Sequence, residues 1–233
     1  MRARDFRYAA LKALRGKWGI AVLAGLIASA LGAINGGISF NFSLDESDMN
    51  KIFVEKFEGI EEALPIVAPI LIGIAVFTIV YCVIIMIIGS VVSVGYAEFN
   101  LDLVDGFTPS IGTLFSRFRQ FKTAFIANLL VFLRVFGGML LFVIPGIIAA
   151  YRYAMVPFVL AENPGIGAVD ALEKSREIMW QNKWKLFCLD FSFIGWNILC
   201  TLTLGIASLW IVPYRQAAYA AFYREATREV EYM

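Results

Sequence analysis

Three arginines, Arg134, Arg152 and Arg215, stand inside strongly apolar stretches, and one acid, Asp190, does the same. Glu98 and Asp102 follow at the end of another such stretch. A lone charge at the centre of a bilayer costs at least ~2.5–3.5 kcal/mol, so each group must face protein, water or an opposite charge. Arg134 lies deepest in its apolar run and has least room to reach an interface. Two kinds of chemistry fit these residues. The arginines could line an electropositive cavity for an anionic solute or a lipid headgroup. Alternatively, Asp190, Glu98 and Asp102 pair with them to fix helix positions, while Arg215 snorkels to the interface. The second reading is the simpler one.

Other chemistry is missing from the chain. It has no histidine, which removes the usual neutral-pH general base and the commonest metal ligand. Cys82, Cys188 and Cys200 all lie in apolar runs, where they behave as small hydrophobes. No Walker loop, HExxH, GxSxG or paired-cysteine spacing is present. A non-enzymatic protein without cofactor or metal is therefore expected. The net charge of +1 offers no field to attract nucleic acid.

The elements that must hold these residues are membrane helices. Of the 233 residues, 60% are apolar, against about half in soluble domains. Residues 66–97 contain no charged side chain, and ~20 apolar residues already cross a bilayer. A first span is expected over about 18–36. Although Ala28-Ser29-Ala30 could pass for a cleavage site, the long helix-patterned basic region before it argues for a retained span. The N-terminus carries Arg2, Arg4, Arg7, Lys12, Arg15 and Lys17, whereas the loop 38–65 carries seven acids and two lysines. Positive-inside bias puts the N-terminus in the cytoplasm and that acidic loop outside.

Basic residues recur at 117–122 and 174–185, so the apolar stretches between and beyond them must leave the cytoplasm and return. Pro145-Gly146 and Gly205 supply the expected turns, and Pro157 and Pro213 the expected kinks of the returning arms. The result is an all-α membrane protein with six spans, at about 18–36, 66–97, 124–144, 147–161, 186–203 and 206–222. They form three hairpins, each preceded by a basic amphipathic cytoplasmic segment, at 4–17, 110–122 and 165–184. In the alternative, four helices span, and 145–161 and 206–222 are re-entrant or interfacial.

Within the first span Ala21, Gly25, Ser29, Ala33 and Gly37 recur every four residues. Such a face lets another helix approach closely, either as static packing within the chain or as a moving or dimerising seam. The segment 164–184 reads as a cytoplasmic amphipathic helix with Asn163 as its N-cap and Pro164 at its first position. Its stripe of Ile166, Val169, Leu172, Met179 and Trp180 would lie along the inner membrane surface.

The string LLFVIPGIIAAYRYAMVPFVLAENPGIGAVDALEKSREIMWQNKWKLFCLDFSFIGW, followed by LTLGIASLWIVPY and AAFY, resembles an uncharacterised bacterial membrane family, domain of unknown function 975. The segments LKALRGKWGIAVLAGLI and GYAEFNLDLVDG are similar to it too. The resemblance implies a multi-pass protein of the bacterial plasma membrane. It carries over no activity and no catalytic residue. With both termini in the cytoplasm, such a chain would act as a scaffold or accessory component. Its expected partners are the lipid bilayer and another membrane protein or a second copy of itself. A small transporter or channel is the alternative.

Overall fold

The computed structural model describes residues 3–33, 60–203 and 205–231, and every element among them is helical. Helix α1 spans Ala3–Leu14 and α2 spans Trp18–Ala30. In α1, Phe6, Ala10 and Leu14 are buried at four-residue spacing, which leaves its charged side outward. Gly16 turns the chain with φ +78°, and the two helices meet at 107°. At the end of α2, Gly32 takes φ +70° and the Ala33 amide reaches back to the Ala28 carbonyl at 2.8 Å. This is a glycine-terminated helix end. Thirteen residues give ~20 Å of helix, short of the ~30 Å hydrocarbon layer. Helix α2 is therefore shorter than the expected span 18–36. Gly37 and the acidic loop up to residue 59 lie outside the described residues.

Helix α3 runs unbroken over Ile60–Val104, farther than 66–97 at both ends. Its 45 residues make ~68 Å of helix with two different halves. Ile72, Ile74, Val76, Phe77 and Val80 are exposed, whereas Val91, Val92, Tyr96, Phe99 and Asn100 are buried. After it comes a 3-10 segment, Ile111–Gln120. It crosses α3 at Gly95, where an added Cβ would lie 2.2 Å from the Leu114 carbonyl oxygen. Only glycine permits that backbone approach.

Helix α4 (Phe121–Leu141) and helix α5 (Val143–Tyr153) fold against each other about Phe142, which is extended at φ −161°, ψ 151°. The expected turn at Pro145-Gly146 is thus displaced. Pro145 sits in the first turn of α5, where its missing N–H has no intrahelical partner to lose. Gly146 seats α5 on α4, since a Cβ there would fall 2.9 Å from the Met139 amide nitrogen.

Pro157 does interrupt the returning arm, which runs as one stretch over Val143–Glu162. It lies in the first turn of α6, Val156–Glu162, and α5 ends at Tyr153, four residues earlier. Pro157 cannot donate to that carbonyl and its ring crowds it, so the helix stops there. Next come α7 (Ala168–Ile178), α8 (Lys183–Ser192), α9 (Ile194–Leu202) and α10 (Ser208–Glu231). Gly205 lies between α9 and α10 with φ +88°, and α10 continues through Pro213.

The helix expected over 164–184 is shorter and differently capped. Gly165 has φ +105°, Gly167 is the N-cap of α7, and the helix ends at Ile178. The Asn163 amide instead donates to the Val159 carbonyl at 3.0 Å. Ala171, Leu172, Ser175 and Ile178 are buried in the protein, while Val169 and Trp180 are exposed.

Helix α10 is the centre of the fold. Ala217, Ala218, Ala220, Phe222 and Tyr223 are buried on it, and α1, α2, α3 and α7 all pack against it. Four stretches are long and apolar enough to cross a membrane: Ile72–Val104, Ile111–Leu140, Val143–Glu162 and Lys183–Leu202. The bent pair α1–α2 would make a fifth if counted as one span. The expected sixth span, 206–222, falls in α10, whose small residues face protein.

Candidate functional site

The crossing at Gly95 places the 3-10 segment beside the next turn of α3. There the Arg117 guanidinium grips Glu98 through both carboxylate oxygens, at 2.8 Å each. Arg117 also donates to the Ala161 carbonyl at the end of α6, and Ser116 donates to Glu98 at 2.6 Å. A fork held this way is a strong charge-assisted contact, tying three elements together.

A second tie uses Arg224 of α10, which bonds Asp105 beyond α3 and Glu162 of α6. Tyr223 donates to the other oxygen of Glu162 at 2.5 Å. Burial works against the Arg224 charge, but Asp105 and Glu162 outweigh it and hold the guanidinium above its ordinary pKa. Lys185 of α8 meets Glu229 of α10 at 2.6 Å. Hydrogen bonding to Lys185 holds the Glu229 carboxyl below its usual value. Farther up, Arg7 donates to the Tyr214 hydroxyl at 3.1 Å and lies over the Phe193 ring.

The intramembrane arginines are not where these ties form. Glu98 pairs with Arg117, a residue of the 3-10 segment, and Asp102 forms no ion pair among the described residues. Asp190 accepts hydrogen bonds from the hydroxyls of Tyr151 and Tyr219, so two tyrosines, not an arginine, satisfy it. Arg134 is exposed and sits over the Tyr153 ring, 5.4 Å from its centroid. Arg152 and Arg215 each bury an Nε without a hydrogen-bond partner. No hydrogen bond or ion pair joins the three arginines to a shared partner among the described residues: Arg134 rests on the Tyr153 ring, and the Arg152 backbone carbonyl accepts from Ser175.

The small-residue face is packed inside the chain. Ala21, Ala24, Gly25 and Ala28 are buried and Ser29 and Ala33 half-buried. At Gly25 an added Cβ would lie 3.1 Å from the Tyr96 hydroxyl of α3 and 3.6 Å from the Pro213 ring of α10. At Gly89 it would lie 2.7 Å from the Gly32 carbonyl oxygen. Both are contacts that only small residues allow.

A cavity of about 400 Å3 lies between α3, α4, α5 and α6. Its polar lining is Ser90, Ser93, Asn128 and Tyr153, and no charged residue faces it. Asn128 donates to the Ser90 hydroxyl at 2.9 Å, and Ser90 donates to the Met86 carbonyl at 2.6 Å. An arginine-lined cavity was expected for transport, and this one is uncharged instead: neither Arg134 nor Arg152 is among the residues that line it.

Sequence reasoning missed Arg117, Glu162 and Arg224 as ligating partners, and Gly95 as the residue that brings Arg117 into place. No curated protein and no solved structure matches the chain. Residues 134–229, from the middle of α4 to the end of α10, carry the sequence pattern of the family described as protein of unknown function (DUF975).

Proposed function

We propose that this protein is a non-enzymatic, membrane-embedded scaffold or accessory component that binds a partner or organises lipid. It would reside in the bacterial plasma membrane with six spans in three hairpins and both termini in the cytoplasm. The observation that carries this is the state of its charge. The acids Glu98, Glu162 and Asp190 are taken up by partners on other helices, and the cavity of about 400 Å3 has no charged lining. Groups spent on holding helices together are not free to shepherd an ion or anionic solute. The exposed surface includes large apolar and aromatic side chains: Val169, Trp180 and Trp184 on the α7–α8 side and the Ile72–Ile84 part of α3. Such surfaces suit lipid and protein neighbours.

The test is mild solubilisation from native membranes. A partner should co-purify and be lost when Val169→Lys and Trp180→Glu make the α7 face polar. Protein recovered free of any partner from native membranes would count against a scaffold. A second reading, a small transporter for an anion, draws on the Nε atoms of Arg152 and Arg215, buried without partners.

A further inference from the structure

The cavity between α3, α4, α5 and α6 has the size of a ligand site, since small-molecule sites span ~300–1,000 Å3. Its long direction follows the helices. On α4 the lining starts at Ala124 and Phe125, in the first turn, and continues to Val135, ~16 Å farther along the axis. On the antiparallel walls, Val94 and Leu160 accompany the Ala124 end, and Met86 and Ala150 accompany the Val135 end. Ser93, Ser90 and Asn128 sit toward the first end, and Met86, Val135 and Ala150 at the far end are apolar.

Asn128 uses one amide hydrogen on Ser90, which leaves its carbonyl oxygen and second amide hydrogen to offer. The cavity reaches the surface through Met86, Phe132 and Ala150, all exposed. The surface beyond them is mostly apolar, with Val83 and Ile84 on α3 and Leu133 and Phe136 on α4 exposed, and Arg134 is the charged residue among them, lying over the Tyr153 ring. In a bilayer that surface faces hydrocarbon, so a guest enters from lipid rather than from water. At the other end stand two basic side chains that no acid takes up among the described residues. Arg119 and Lys122 are exposed; Lys122 precedes Phe125 by three residues and so shares the face of α4 that lines the cavity, and Arg119 lies in the last turn of the 3-10 segment that leads into that helix.

We propose that this cavity holds one acyl chain of an anionic phospholipid. The headgroup phosphate lies on Arg119 and Lys122, the ester region meets Asn128, and the chain runs toward Ala150 and Met86. This deepens the lipid-organising part of the reading above and rests on membrane residence, not on the protein partner. Two cations at a membrane surface strengthen anionic-lipid binding about fivefold each.

The test is native mass spectrometry of the full-length protein in detergent, titrated separately with phosphatidylglycerol and phosphatidylcholine. The wild type should retain phosphatidylglycerol at least about tenfold better. Arg119→Gln with Lys122→Gln should bring the two lipids to near-equal retention. Ala150→Phe should shorten the cavity and lower retention of both, and Ala150→Leu does the same with less bulk where phenylalanine unfolds the protein. Equal retention of the two lipids by the wild type overturns the headgroup assignment. Undiminished retention in well-folded Ala150→Phe or Ala150→Leu overturns the cavity as the chain site. A stable dimer that excludes lipid, and that Ala150→Phe dissociates, would make a second copy the occupant and overturn the proposal as well. Loss of lipid binding with the protein partner still co-purifying leaves the scaffold role standing, so the two can fail separately.

Discussion

Substituting Gly95 should destabilise the fold, whereas the same change at Gly73 on the same helix should not. Both glycines lie in α3, and alanine favours a helix interior over glycine by ~1 kcal/mol at each. The surroundings differ. Around Gly73 nothing lies within 4 Å of an added Cβ, so Gly73→Ala keeps the full gain. At Gly95 the new Cβ would meet the Leu114 carbonyl oxygen at 2.2 Å, its carbon at 2.6 Å and its Cα at 2.9 Å. These are backbone atoms that cannot rotate away, so the 3-10 segment must shift outward. Overpacking of this kind costs ~1–3 kcal/mol, and the shift also strains the Arg117–Glu98 fork, whose side chains are 16% and 23% exposed. Loosening charge-assisted hydrogen bonds adds ~1.5–3 kcal/mol. After subtracting the helix-propensity gain, the net loss is about 2–5 kcal/mol. At ~2–4 °C per kcal/mol for a chain of this size, Gly95→Ala should melt at least about 4 °C below wild type in detergent. Gly73→Ala should melt at or slightly above it. Equal melting of the two variants would refute the close crossing at Gly95, and with it the reason Arg117 reaches Glu98.

Other consequences can be checked with the same melting assay. In a double-mutant cycle of Glu98→Gln and Arg117→Gln, the coupling should be about 1–3 kcal/mol, and additive effects would mean that the fork is not formed. Gly32→Ala should cost about 1–2 kcal/mol, because φ is +70° and the Cβ would sit 2.7 Å from Ile85 Cγ2; a neutral result would contradict the glycine-terminated end of α2. The folded-state pKa of Glu229 lies below its unfolded value of 4.5, so its contribution is fully present above that pH and fades as pH falls through the lower, folded value. The difference between wild type and Glu229→Gln should therefore be about 0.5 kcal/mol at pH 7, as for a partly exposed pair. It should shrink below about pH 4.5, and a difference that grew on acidification would be the wrong sign.

How much of this was legible in the sequence depends on the range of the contact. The amphipathic α1, the glycine turn at Gly205 and the small-residue face around Gly25 follow from local spacing, and sequence carries local spacing directly. Proline was read correctly as a breaker, but its effect falls on the carbonyl four residues earlier: Pro157 ends α5 at Tyr153, and Pro145 merely opens the helix after Phe142. The charge partners were the hardest to see. Arg117 follows Glu98 by 19 residues and Arg224 follows Asp105 by 119, and neither separation has a periodic signature. The first pairing hangs on one backbone approach at Gly95, which a glycine in an apolar run does not announce. Likewise, charge within an apolar stretch suggested an arginine-lined cavity. The helices turn Asp190 toward two tyrosines and leave the cavity itself without a charged lining.

The central claim is that interior charge holds helices together and lines no path for anions. The most direct test is flux of chloride and of phosphate into sealed liposomes carrying the purified full-length protein, compared with Arg152→Gln and Arg215→Gln variants and with protein-free vesicles. All four preparations should be indistinguishable. Saturable anion uptake by the wild type that either substitution abolishes, with folding intact, would contradict the account and make the protein a transporter.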